Sequence, residues 1–242
     1  MTVRIRPTTV LGAAAAAAGG AAAVLGLLLA PPDVVQGQPQ RLMYVHVPAA
    51  WVAYLAFAGV LAASVAYLLR RDLRWDRHAR SAAELGVGLT ALAIVLGSLW
   101  GRPVWGVWWT WEPRLITTVV LLVVYVGYLG VRGLSADPHA SARRAAVVGI
   151  AAFVNVPIVH YSVVWWRTLH QPPTVLRPGG PADSIEPMML AALLTAVLAF
   201  TLAAVWVHLR RVAVLAQDDP AVPADDDMPR PLELTVTART SR

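Results

Sequence analysis

Few side chains in this 242-residue sequence can bind or react, and the aromatic ones are bunched: it has six histidines, ten tryptophans and no cysteine. Trp100, Trp105, Trp108, Trp109 and Trp111 all fall in the stretch WGRPVWGVWWTWEPRL, residues 100 to 115. Indole faces are large and rigid, so such a run can form a flat platform for a planar ligand. Its plainer reading is an anchor lying among lipid headgroups. Pro103 suits the first turn of a short helix, and Pro113 biases Glu112 away from helical geometry. The piece between is therefore expected to be a short surface helix, with Trp105, Trp108, Trp109 and Glu112 on one face at i, i+3, i+4 and i+7. Two histidines flank this run in the chain. His46 precedes Pro48, so extended chain just ahead of a helix is expected. His170 follows Trp165 and Trp166 and is closed off by Pro172 and Pro173. Each alone is an ordinary interfacial histidine; whether they act together depends on the elements that carry them.

Those elements are dictated by composition. Hydrophobic residues make up 57% of the chain and charged residues only 14%, outside the range of a soluble globular domain. The apolar residues arrive in blocks of about 17 to 22, enough for a helix to cross roughly 30 Å of hydrocarbon. Spans are expected near 9–30, 50–69, 82–100, 115–131, 145–165 and 187–208. Hydrophobicity within them is continuous rather than alternating, which excludes a transmembrane barrel, and unpaired backbone amides in lipid then force helices. The predicted fold is an all-α membrane protein of six transmembrane helices. Residues 1–8 form a short N-terminus, 9–210 one membrane domain, and 211–242 a disordered cytoplasmic tail rich in Pro and Asp.

Orientation follows from arginine. The chain has 20 Lys+Arg, all of them Arg. Fifteen lie before the first span, between spans two and three, between four and five, and in the tail, against five in the other three loops. Positive charge resists translocation, so both termini are expected in the cytoplasm and the Trp-rich loop, His46 and His170 on the opposite face. The first segment resembles a signal peptide in its basic start and Ala-rich run, but that run exceeds the usual core of about 7 to 15 residues. The net charge of +6 reads as topology and attraction to anionic membrane lipid, with no nucleic-acid footprint.

The absence of cysteine excludes disulfides, thiolate metal sites and covalent haem attachment through Cys-x-x-Cys-His. No Gly-rich phosphate loop occurs, so the chain is expected to lack its own nucleotide site. His78, His139 and His208 sit beside arginines in cytoplasmic segments and read as solvated. His160, late in span five, reads as a histidine hydrogen-bonded between helices. On the outer face, two neutral imidazoles beside an aromatic platform can ligate haem iron from its two axial sides, with the porphyrin against indole. A cytochrome b-type electron carrier would need histidine pairs inside the bundle. A secondary transporter would show paired broken helices, of which Asn155 with Pro157 is the only hint.

The segment WGVWWTWEPRL, residues 105 to 115, resembles the tryptophan-rich signature WGxxWxWDxRL of haem-handling proteins of cytochrome c maturation. VHVPAAW, residues 45 to 51, and SVVWWRTLHQPP, residues 162 to 173, are similar to the two histidine-bearing loops of the haem exporter protein C (CcmC) family, and the resemblance covers about residues 30 to 210. It implies a haem-binding and transfer protein with no catalytic residue, a multi-pass protein of the bacterial inner membrane with a periplasmic working face. Haem b would be held transiently and non-covalently, with His46 and His170 as axial iron ligands and Trp105, Trp108, Trp109 and Trp111 as the platform. The haem would pass to the periplasmic chaperone CcmE. The ABC transporter subunits CcmA and CcmB, where ATP would be hydrolysed, and the small protein CcmD are the implied partners. Position 112 departs from the signature, with Glu for Asp. Its longer carboxylate leaves contact with the haem, the chaperone or Arg114 open; Glu112 is counted with the haem-binding residues and expected to orient Arg114, and Arg114, or else Arg102, Arg167 or Arg177, to pair with a haem propionate, because guanidinium matches carboxylate bidentately.

Overall fold

A computed structural model describes residues 7–171 and 185–217. Arg177, Pro172 and Pro173, the first six residues and the tail beyond 217 lie outside the described residues, and with them most of the expected tail. Helix α1 (Pro7–Ala23) runs on into a wider π turn at Val24–Leu29. It is followed by α2 (Met43–Arg70), α3 (Leu73–Trp105), α4 (Pro113–Gly130), α5 (Pro138–Phe153), α6 (Asn155–Trp165) and α7 (Pro187–Gln217). Together they make six helical segments long and apolar enough to cross a membrane, α5 and α6 counting as one.

Four of the six segments overrun the expected spans by several residues, because the helices continue into amphipathic ends where caps stop them. Asp72 accepts the Arg74 N–H at 2.8 Å and opens α3 only two residues after α2. Asp137 accepts the N–H groups of His139 and Ala140, with Pro138 in the first turn of α5. Helix α7 continues to Gln217, seven residues into the region expected to be an irregular tail. The fifth segment is broken at Val154, between α5 and α6, beside Asn155 and Pro157. Asn155 Nδ2 donates to the Thr117 carbonyl at 3.0 Å and so ties α6 to α4.

Helix α2 is the axis of the bundle, packing against α3, α5 and α7, while α1 lies on α7 and α4 on α6 and α3. Phe57 of α2 stacks on Tyr125 of α4 with ring centroids 3.8 Å apart. A Cβ at Gly86 would come within 2.5 Å of the Phe57 ring, so this approach of α3 to α2 requires glycine there. At the far end from the Trp-rich run, Arg132 makes a bidentate pair with Asp76, both bonds 2.8 Å, and also donates to the Tyr128 hydroxyl.

Candidate functional site

The near end of the bundle is where α2, α4 and α7 begin and α3 and α6 end. His46 lies inside α2, not in extended chain as expected, and Pro48 is also within that helix. The pre-proline bias is overridden by packing: Tyr44 is buried, and Met43 and Val47 pack beside it against α7. The His46 ring meets Trp100 of α3 edge-on, centroids 5.8 Å apart. Gly97 gives that ring its room, since a Cβ there would lie 3.1 Å from His46 Cε1. His46 Nδ1 is buried against α3 near Ala93 without an acceptor in good hydrogen-bonding geometry.

No separate surface helix forms in the Trp-rich run. Helix α3 continues through Pro103 to Trp105 and stops at Gly106, whose φ of 80° is the left-handed conformation that favours glycine. Residues 106–112 are irregular. Fewer than two turns of chain remain for a helix, too few to repay nucleation, and Glu112 is drawn inward instead. Its backbone is extended, at φ −90° and ψ 159°, and Pro113 begins α4 directly after it. Trp105 therefore sits at the end of α3, while Trp108, Trp109 and Trp111 are carried by irregular chain and share no helical face.

His170 lies five residues beyond the end of α6, on irregular chain held by Glu112. Glu112 Oε1 is 2.5 Å from His170 Nδ1, and Oε2 accepts the Leu169 N–H at 2.6 Å. Glu112 is the one charged residue that is buried among the described residues. Burial pushes its carboxyl up, but the hydrogen bonds from the His170 ring and the Leu169 N–H outweigh that and hold it below the ordinary carboxylate range. Both carboxylate oxygens are thus given to the His170 segment. The expected partner, Arg114, instead donates to the His160 carbonyl at 3.4 Å.

His46, His170, Trp105, Trp108, Trp109 and Arg114 line one cavity. A second, adjoining cavity shares His46, His170, Trp105 and Arg114 and extends past Trp51, Trp100 and His160; it holds about 1280 Å³ of free space, mouth included. Trp105 meets the His170 ring edge-on at 5.1 Å. Trp111 is left out: it is 76% exposed and touches only the edge of Trp109 in this cluster. Among the described arginines considered for anion pairing, Arg102 and Arg167 are exposed and Arg114 is the one on the cavity wall.

His160 escaped the sequence reading as a site residue. It faces the larger cavity, edge-on to Tyr54, where packing between helices was expected. The available signal was its place ten residues before His170 on the same segment. His78 and His208 are not free solvated side chains either, since their ring nitrogens are 2.9 Å apart across α3 and α7. No cluster of three or more His, Cys, Asp or Glu side chains suited to a metal occurs among the described residues. Two imidazoles on one cavity could serve a metal whose other donors come from a ligand, such as a macrocycle.

A family model described as Heme exporter protein C matches residues 1–220. The chain belongs to that family. Among its relatives, the Heme exporter protein C of Bradyrhizobium diazoefficiens is 41% identical over 181 residues, 75% of this chain and 68% of that protein. The Heme exporter protein C of Escherichia coli (strain K12) is 35% identical over 187 residues, 77% of this chain and 74% of that protein. A putative cytochrome c biosynthesis ccmC-like mitochondrial protein of Marchantia polymorpha is 36% identical over 155 residues, 64% of this chain and 65% of that protein. Membership of the haem exporter protein C family bears out the resemblance carried by the Trp-rich run and the two histidine-bearing segments.

Proposed function

We propose that this chain receives haem at the extracytoplasmic end of the bundle, holds the iron between His46 and His170, and hands the haem to the periplasmic chaperone CcmE during cytochrome c maturation. Its family membership supports a role in haem handling for cytochrome c biogenesis. One observation supports the site above all others: His46 at the start of α2 and His170 after α6, far apart in sequence, line a single cavity with Trp105, Trp108 and Trp109. Trp105, Trp108 and Trp109 offer indole surface to the porphyrin. Arg114, on the same wall, is the candidate partner for a propionate. Trp111, exposed beyond the cavity, would meet the chaperone rather than the haem.

Two imidazoles saturate the iron, which suppresses oxygen chemistry at the metal while leaving a vinyl edge for the chaperone to attack. The chain itself makes and breaks no covalent bond. Transfer requires one axial bond to weaken, and the trigger belongs to the ABC transporter subunits CcmA and CcmB, with ATP hydrolysed in CcmA and CcmD completing the complex in the inner membrane. Bound haem is b-type, transient and non-covalent. Purification with the chaperone is expected to give a low-spin haem spectrum. His46→Ala and His170→Ala should each lose that spectrum and chaperone loading; spectra identical to the parent would overturn the assignment.

A further inference from the structure

Two donors converge on Glu112. The His170 ring approaches one carboxylate oxygen through Nδ1, at 2.5 Å, and the Leu169 N–H occupies the other, at 2.6 Å. Neither bond is solvent-dominated, because the Glu112 side chain is 8% exposed and the His170 side chain 24% exposed. A carboxylate can accept at both oxygens, whereas an amide offers one acceptor and one donor group. A proton held on Nδ1 leaves the lone pair on Nε2, the ring nitrogen away from Glu112. His46 has no such carboxylate, since its Nδ1 is buried against α3 without a well-placed acceptor. The two imidazoles on this cavity are therefore built differently, one backed by a charged acceptor and the other packed against α3 beside the Ala93 backbone.

We propose that Glu112 is a positioning residue that locks His170 as the Nδ1–H tautomer, aims Nε2 at the cavity and makes His170 the firmer of the two axial donors. The last part rests on the haem reading above; the tautomer lock does not. Hydrogen bonding from a ligating imidazole to a carboxylate raises the basicity of the ligand and fixes its ring, and loss of such a partner costs roughly 10- to 100-fold in metal affinity. The position requires two acceptors and therefore a carboxylate. In Glu112→Gln the amide oxygen can satisfy Leu169 or His170 but not both. With the oxygen on Leu169, the amide N–H donates to His170 Nδ1 and drives the ring proton onto Nε2, which blocks the nitrogen meant for iron.

The test compares the parent with Glu112→Gln, Glu112→Ala and Glu112→Asp. Histidine ¹⁵N spectra of the haem-free protein report the His170 tautomer, and the rate of haem loss to a scavenging apoprotein reports retention. The expected result is Nδ1–H in the parent and in Glu112→Asp, Nε2–H in Glu112→Gln, and haem loss about 10- to 100-fold faster in Glu112→Gln than in the parent. Glu112→Gln should be at least as impaired as Glu112→Ala, an order that a purely space-filling role would reverse. A His170 tautomer unchanged in Glu112→Gln, or haem loss equal to the parent, overturns the proposal. A parent that retains no haem while the tautomer shifts as described supports the lock and overturns the haem reading alone.

Discussion

The two ends of this bundle use ionisable side chains in opposite ways. At the far end several are matched with one another: Arg132 with Asp76, Arg211 with Glu84, and His78 with His208 across α3 and α7. At the near end His46, His160 and Arg114 face a cavity, and His170 is paired there with Glu112. Buried polar groups that satisfy one another specify packing, while groups held at a cavity wall are available to a ligand. Stability and ligand binding should therefore separate along the length of the molecule.

The sharpest break of that comparison is the variant His46→Ala, which should abolish low-spin haem absorption while thermal unfolding of the haem-free protein stays close to the parent. Asp76→Asn should do the reverse. Leaving Arg132 without its anion is expected to cost about 3 kcal/mol in stability, read by thermal unfolding in detergent, with an unchanged haem spectrum. Gly97→Ala is subtler, because alanine improves helix propensity in α3 while its methyl presses on the His46 ring. Haem retention should fall about tenfold, corresponding to about 1.4 kcal/mol of overpacking, without loss of thermal stability. Trp111→Ala should be the mildest for haem, within about 0.5 kcal/mol in affinity, as for an exposed side chain off the cavity. A haem defect in Asp76→Asn as large as that of the histidine variant would erase the distinction between the ends.

The six membrane segments were legible because lipid leaves the backbone one choice, and long apolar blocks announce it. His46, His170 and the Trp-rich run were legible as a group because topology predicted one face for all three. What stayed hidden depends on contacts between segments distant in the chain. Pro103 and Pro113 read locally as the bounds of a surface helix, yet Gly106 ends α3 and Glu112 turns toward His170. Local spacing also paired Glu112 with Arg114, two residues away, whereas the observed partner is 58 positions on. The clearance at Gly97 had no signal of its own, since its need arises only when α2 sets His46 beside it.

The stitch from Asn155 to the Thr117 carbonyl has a mechanical consequence. Glu112 stands at the threshold of α4, and His170 hangs from the end of α6, so a bond tying those two rods helps hold the carboxylate and its imidazole together as one part. Sliding that part against α2 by even one residue's rise, about 1.5 Å, would alter the gap to His46 without disturbing the grip of Glu112 on His170.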